Sequence, residues 1–346
     1  MFLALPVLQV TQAQTAHFSG AVTPVGSGFS SPTGVAVDGA GNVFVADINN
    51  NEVKEIMAAD GVVSSSSTVN IIGGGFRDPY GVAVDRVGNV FVADYGHDAV
   101  KEIVAVNGAV SSSSTVNTIG SGFSSPCGVA VDSAGDVFVA DSGHNAVKEI
   151  VAISGAVSSS STVNTVGSGF NYPQSATSDS SGNVFVADSG NSAVMEIVAV
   201  NGAVSSSSPV NIVGSGFNYP TGVTVDSAGN VFVVDNNNSV MKEIVEVNGA
   251  VSSSSPVNIV GGGFLYPTGV TVDGRGNLFI ADTGNNAVKE VVTRGIDFGS
   301  LPVATSTPTT ISLGFTFDTG GTIGVPAVLT QGARWGYLHG RRDLYA

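Results

Sequence analysis

The side chains with the chemistry to act in this chain recur at a fixed interval. Aspartate follows Ala or Val at Asp47, Asp94, Asp141, Asp188, Asp235 and Asp282, in steps of 47 residues. A second set, Asp38, Asp85, Asp132, Asp179, Asp226 and Asp273, keeps the same step. A ring of carboxylates could bind a cation through oxygen. A residue needed in every copy, however, is expected to serve the copy, as Asp and Asn at strand ends do when they hydrogen-bond their own turns. His97 and His144 share one position, where other copies carry Asn50, Asn191, Asn238 and Asn285. They are the metal candidates, but a catalytic zinc site usually wants three protein ligands, and the other histidines, His17 and His339, lie in the terminal segments. The expectation is therefore a turn-bonding role and no cofactor. Cys127 replaces Thr33, Thr221 or Thr268 of other copies. A Cys/His nucleophile with His144 is conceivable, but drift at a tolerant loop position is the simpler expectation. No G-x-S-x-G elbow is present.

The elements that carry these residues repeat with them. The Gly-Phe pair falls at Phe29, Phe76, Phe123, Phe170, Phe217 and Phe264, again 47 residues apart and without insertions. In the second copy, residues 81–85 (GVAVD), 90–94 (VFVAD), 99–106 (AVKEIVAV) and 115–119 (TVNTI) are β-branched runs. Glycine-bearing turns, Asn107-Gly108 and a serine run separate them. Four strands per copy of this length mark a β-propeller blade, and the 3.6-residue period of a helical solenoid is absent. The predicted fold is all-β, a six-bladed propeller of four-stranded antiparallel blades over residues 17–294. The first two strands are nearly continuous apolar runs, as expected for strands between neighbouring blades. The Lys-Glu pairs of the third (Lys54-Glu55, Lys101-Glu102, Lys148-Glu149, Lys242-Glu243, Lys289-Glu290) predict a strand nearer the rim that meets water. The sixth copy lacks a fourth strand, and the segment around residues 17–25 is expected to supply it, closing the ring and removing an open edge.

The motif G-F-x-x-P-x-G-V-A-V-D-x-x-G-N-V-F-V-A-D-x-x-N-x-x-V, nearly complete from Gly28 to Val53, resembles the NHL repeat. That resemblance implies a six-bladed propeller. It also implies a class of roles: protein- or RNA-binding modules, sensor domains of bacterial receptor kinases, parts of secreted proteins and, among related propellers, lyases or metal-dependent hydrolases. A fold of this kind does not name its function.

Outside the repeats, residues 1–16 open on an apolar run and resemble a signal peptide without its basic start. An extracellular or cell-envelope location is expected from it. Residues 295–333 resemble the opening strands of an immunoglobulin-like sandwich, too short for a whole one. Residues 334–346 change composition abruptly, as a frame-shifted tail would. The net charge of −15 repels phosphate backbones, so nucleic acid is an unexpected partner. No stretch is long and apolar enough to insert in a membrane. The single cysteine rules out an intrachain disulfide.

In a four-stranded meander, the Gly-Phe loops and the Asn/His loops share one face, and the serine runs share the other with the D-x-x-G-N turns. The copies differ most on the first face. The residue before proline is Ser31, Asp78, Ser125, Tyr172, Tyr219 and Tyr266, and Tyr80, Tyr95 and Arg77 join it in the second copy. Tyrosine offers apolar area with a polar tip, which suits binding surfaces. The fourth copy also replaces the usual T-G-V-T-V with the polar Gln174-Ser175-Ala176-Thr177-Ser178. The expected function is a monomeric, non-enzymatic binding or scaffold module that recognises a protein or glycan through this face. The alternative is a metal-dependent propeller lyase or lactone hydrolase.

Overall fold

A computed structural model describes residues 21–293. The readings made for residues 1–16, 295–333 and 334–346 lie outside the described residues. Within them, six four-stranded antiparallel sheets follow one another as blades. The second blade is typical, with strands Pro79–Val84, Val90–Asp94, Ala99–Ile103 and Val116–Ile119, hydrogen-bonded in that order. A short 3-10 turn, Tyr95–His97, joins its second and third strands. The third strand is shorter than the apolar run in the sequence, because the chain leaves the sheet for a small hairpin in which Val106 bridges Ala109.

Closure follows the sequence expectation. Val22–Val25 pairs antiparallel with the third strand of the sixth blade, Ala287–Val291, in the register Val22↔Val291 to Val25↔Val288. The two ends of the repeat array thus share one sheet, and no edge is left open at the seam.

Local chemistry explains why each copy folds alike. In the D-x-x-G-N turn, Asp38 Oδ1 accepts from the backbone N–H of Ala40 and Asn42, while Gly41 takes φ 88°, which glycine adopts freely. The second strand is buried along its whole length in every blade, because neighbouring sheets cover both of its faces. Each apolar cluster therefore spans two blades, as Phe44 and Ala46 of the first pack with Val90, Val92 and Ile103 of the second.

The serine runs are more than polar linkers. Ser64 N–H donates to Ser67 Oγ at 2.9 Å, folding the run into a turn whose carbonyl at Ser64 accepts from Gly26 N–H at 2.8 Å. Gly73, Gly120, Gly167 and Gly214 make the same bond to Ser111, Ser158, Ser205 and Ser252, stapling the outer strand of one blade to the next.

The third strand corrects the expectation of a water-facing rim. Lys54 is 8% exposed, and its ammonium turns inward to Asp47 Oδ2 at 2.6 Å and to the Gly28 carbonyl at 2.7 Å, 5.8 Å from the Phe29 ring centroid. Lys101, Lys148, Lys242 and Lys289 repeat this placement. The physical reason is the fully buried aspartate at the end of the second strand, which draws the cation out of solvent.

The glutamates beside these lysines are also withdrawn from water. Burial, then repulsion from Asp273, pushes the Glu290 carboxyl up to about 7, with Arg275 opposing. A carboxyl raised in the folded state contributes most stability below its unfolded value, near 4.5, and loses it as pH rises through about 7. Glu290→Gln is therefore expected to stabilise the fold at pH 8, by on the order of 1 kcal/mol after solvent screening, raising the melting temperature there and changing it little at pH 4. Equal shifts at the two pH values would show that the carboxyl is not the cause.

Candidate functional site

Two rings of side chains decide the shape of the channel mouth. The first is the residue after the proline that leads into each innermost strand: Thr33, Tyr80, Cys127, Gln174, Thr221 and Thr268, the last just ahead of the strand Val270–Val272. Where it is threonine, the hydroxyl reaches into the next blade. Thr221 donates to the Thr268 carbonyl at 3.0 Å, Thr268 to that of Thr33 at 2.7 Å, and Thr33 to that of Tyr80 at 2.8 Å. Blades five, six, one and two are linked in this way.

Blades two to four break the pattern. The Cys127 thiol points back to the Ser125 carbonyl of its own blade, 3.6 Å away. Cys127 is not in a tolerant loop, as its sequence position suggested, but on an innermost strand and 1% exposed. Burial pushes its thiol up to about 11, which leaves it protonated and a poor nucleophile. Gln174 is 4% exposed, and its buried amide nitrogen sits beside the Cys127 thiol and the Tyr172 phenol without a well-formed hydrogen bond.

The second ring is the first residue of each 3-10 turn. Ser142 and Ser189 donate to the Pro173 and Pro220 carbonyls, Asn236 to that of Pro267 at 2.7 Å and Thr283 to that of Pro32 at 2.7 Å. In the first two blades the position holds Ile48, which has no donor, and Tyr95, whose ring lies 6.2 Å from that of Tyr80. The stitching between blades is thus sparsest around the second blade.

A cavity of about 240 Å³ opens there, lined among others by Tyr80, Tyr95, Tyr172, Tyr219, Asp78 and Gln174. It leads to the central channel, about 180 Å³, walled by the innermost strands. Burial, then the neighbouring Cys127, Tyr219, Tyr172 and Tyr95, pushes the Tyr80 phenol well above its usual 10. Burial also raises Tyr172 and Tyr219. These phenols remain neutral hydrogen-bonding groups across the physiological range.

The tyrosines before proline are held in an unusual backbone. Tyr172 and Tyr219 take φ of 54° and 57°, in the left-handed region that bulky residues avoid. The Tyr172 N–H is pinned by Asn145 Oδ1 of the preceding blade at 2.7 Å. The same bond holds Ser31, Asp78 and Ser125 through Asn286, Asn51 and Asp98. The conformation belongs to the repeat, and the tyrosines are what blades four and five place on it.

The structure therefore brings together Tyr80, Tyr95, Tyr172 and Tyr219. Tyr266, 63% exposed, and Arg77, exposed, line neither cavity. Gln174 belongs to the mouth as well. The polar run in the fourth copy was its signal, although nothing in the sequence showed that its amide would lack a well-formed hydrogen bond.

The aspartates and histidines are occupied by the blades. Asp94 Oδ1 accepts from the Arg77 N–H at 2.7 Å, and Oδ2 takes Lys101 at 2.5 Å and His97 Nδ1 at 2.8 Å. His144 pairs with Asp141 in the same way, and Asn50, Asn191, Asn238 and Asn285 fill this role elsewhere. Among the described residues, no group of three or more His, Cys, Asp or Glu is arranged to hold a metal ion. Each histidine holds the aspartate of its own blade through Nδ1, and neither has the three-ligand surroundings of a catalytic zinc among the described residues.

The fold and its repeat geometry define a six-bladed β-propeller. The chain carries NHL repeats: that family matches residues 29–55, 123–150, 170–194, 217–239 and 264–290. The second copy falls outside the matched segments but forms a blade of the same four strands. A search of curated proteins finds no match. Among solved structures, a streptogramin B lyase is similar at TM-score 0.52 and 12% identity, over 78% of this chain and 96% of that one. A catalytically inactive variant of virginiamycin B lyase from Staphylococcus aureus with quinupristin gives 0.52 and 14%, over 79% and 89%. A structural genomics protein of unknown function from Bacteroides thetaiotaomicron gives 0.55 and 17%, over 78% and 72%. At these identities the likeness is one of fold. Among the described residues, no helix is long and apolar enough to cross a membrane.

Proposed function

We propose that this propeller is a non-enzymatic binding module of an exported protein, taking a protein or glycan ligand on the face that carries the Gly-Phe and 3-10 loops. The observation that supports it is the lopsided channel mouth. Hydroxyl and amide bonds link the blades around most of the ring, and four tyrosines surround a cavity where that linkage thins. Aromatic side chains in a concavity with few polar groups are the usual makings of a recognition site. The apolar start of the chain supports export, and N-terminal sequencing of the mature protein recovered from the cell envelope checks that part.

The test of the site is replacement of Tyr172, Tyr219 and Tyr266 together by alanine, followed by binding to glycan and peptide arrays. Signals given by the parent chain are expected to vanish while the melting temperature stays nearly constant, since Tyr172 and Tyr266 are exposed. Unchanged array signals would refute the assignment of the face.

A further inference from the structure

The cavity at the channel mouth contains more information than its aromatic lining. Its polar groups are few and of defined type. Among the lining side chains only Asp78 is charged at neutral pH, and no lysine, arginine or histidine is present. A phosphate or carboxylate would meet no cation there and would approach a chain of net charge −15. Gln174 lines both the cavity and the channel, and its buried amide nitrogen, set beside the Cys127 thiol and the Tyr172 phenol, makes no well-formed hydrogen bond. A buried donor without a well-formed hydrogen bond is unfavourable, and a ligand acceptor at that point would satisfy it. An organic cation would suit the tyrosine faces and Asp78, yet it would leave the Gln174 donor unanswered.

A pyranose ring answers all three features. Its C–H face packs on aromatic rings, and its hydroxyls both accept, from the Gln174 amide, and donate, to the Asp78 carboxylate. The cavity volume, about 240 Å³, is below the ~300–1,000 Å³ of pockets for drug-sized ligands, which suits one ring and not a buried chain of them. We propose that the mouth between Tyr80, Tyr172 and Tyr219 binds a single neutral sugar ring, with Gln174 donating to one of its hydroxyls and Asp78 accepting from another. This rests on the reading of the face as a binding surface, and it narrows the ligand to a carbohydrate end.

Calorimetric titration of the full chain with the methyl pyranosides of glucose, galactose, mannose and N-acetylglucosamine tests it, with tetramethylammonium chloride and inorganic phosphate run in parallel. Saturable binding of at least one pyranoside is expected. It should weaken about tenfold or more in Gln174→Thr, the loss of one buried hydrogen bond, and likewise in Asp78→Ser. Both substitutions install the residue that other blades carry at that position, as Thr33 and Ser31 do, so the ring should close normally. Binding of tetramethylammonium with no pyranoside, saturation by phosphate alone, absence of all binding, or pyranoside affinity untouched by Gln174→Thr would each overturn the sugar assignment. The array experiment separates the two levels. If the tyrosine variant loses its array signals but no pyranoside binds, the face stands and the sugar falls. If the array signals persist, both fall.

Discussion

Gly34→Ala is expected to lower the denaturation midpoint far more than alanine at a glycine with open space around it. Gly34 lies on the innermost strand Pro32–Val37, where the first blade meets the second. A methyl group built at its Cα would lie 2.5 Å from the Tyr80 carbonyl oxygen and 2.8 Å from the Gly81 Cα. Both are backbone atoms of the neighbouring innermost strand, so no side chain can rotate away. Gly81, Gly128, Gly222 and Gly269 meet the next blade in the same manner. In a closed ring, one blade cannot retreat without pressing on the following one. Overpacking of this type costs about 1–3 kcal/mol, and the closed geometry places this case at the upper end. Gly39→Ala is the control, since nothing lies within 4 Å of its added methyl, and it should change stability by less than about 0.5 kcal/mol. Urea unfolding of the two variants decides the matter, and equal midpoints would refute the account of ring closure.

Lys54→Met should destabilise the fold by about 3–5 kcal/mol, the range seen when one partner of a buried ion pair is removed. Asp47 is fully buried, and its Oδ2 relies on the Lys54 ammonium at 2.6 Å and on the Asn50 amide at 2.7 Å. Without the lysine, a desolvated carboxylate remains. The fourth blade already contains this arrangement, because Met195 replaces the lysine beside Asp188. Burial holds the Asp188 carboxyl above its usual value, although the Asn171 N–H and the Asn191 side chain pull it back. A raised acid contributes stability that is present below its unfolded value and is lost as pH rises through the folded one. Met195→Lys should therefore stabilise the chain near pH 7 by roughly 1–3 kcal/mol, with the gain shrinking toward pH 3 as Asp188 is protonated in both states. Thermal melts of both variants at pH 3 and pH 7 check this. A Met195→Lys gain that is independent of pH would mean that the new side chain acts by packing and not by pairing.

These two features were unequally legible. The glycines at the closest approach were visible as the Gly of P-x-G-V, but in a strand pattern they read only as part of an apolar run. Glycine inside a strand often marks a place where another backbone comes near, yet which backbone depends on how the blades close. The lysines were visible too, and a Lys-Glu pair on a third strand suggested water. The buried aspartate that captures them is seven residues earlier on the neighbouring strand, a relation that the hairpin register creates.

The 47-residue period, the β-branched runs and the turn dipeptides carried the architecture unaided. They gave the strand count, the number of blades and the closing role of the N-terminal segment. Such properties are local or periodic: a chain repeated in phase repeats its hydrogen bonds, and the missing fourth strand of one copy can be counted. The site is different in kind. Tyr80, Tyr172 and Tyr219 are separated by up to three repeats, and their meeting at one cavity depends on the curvature of the closed ring. The same holds for Gln174 and Cys127, whose difference from threonine matters only because threonine in the other blades bonds across the seam. Departures from a repeat can be seen in a line of letters, but what each departure leaves unbonded is settled by the neighbour that packing supplies.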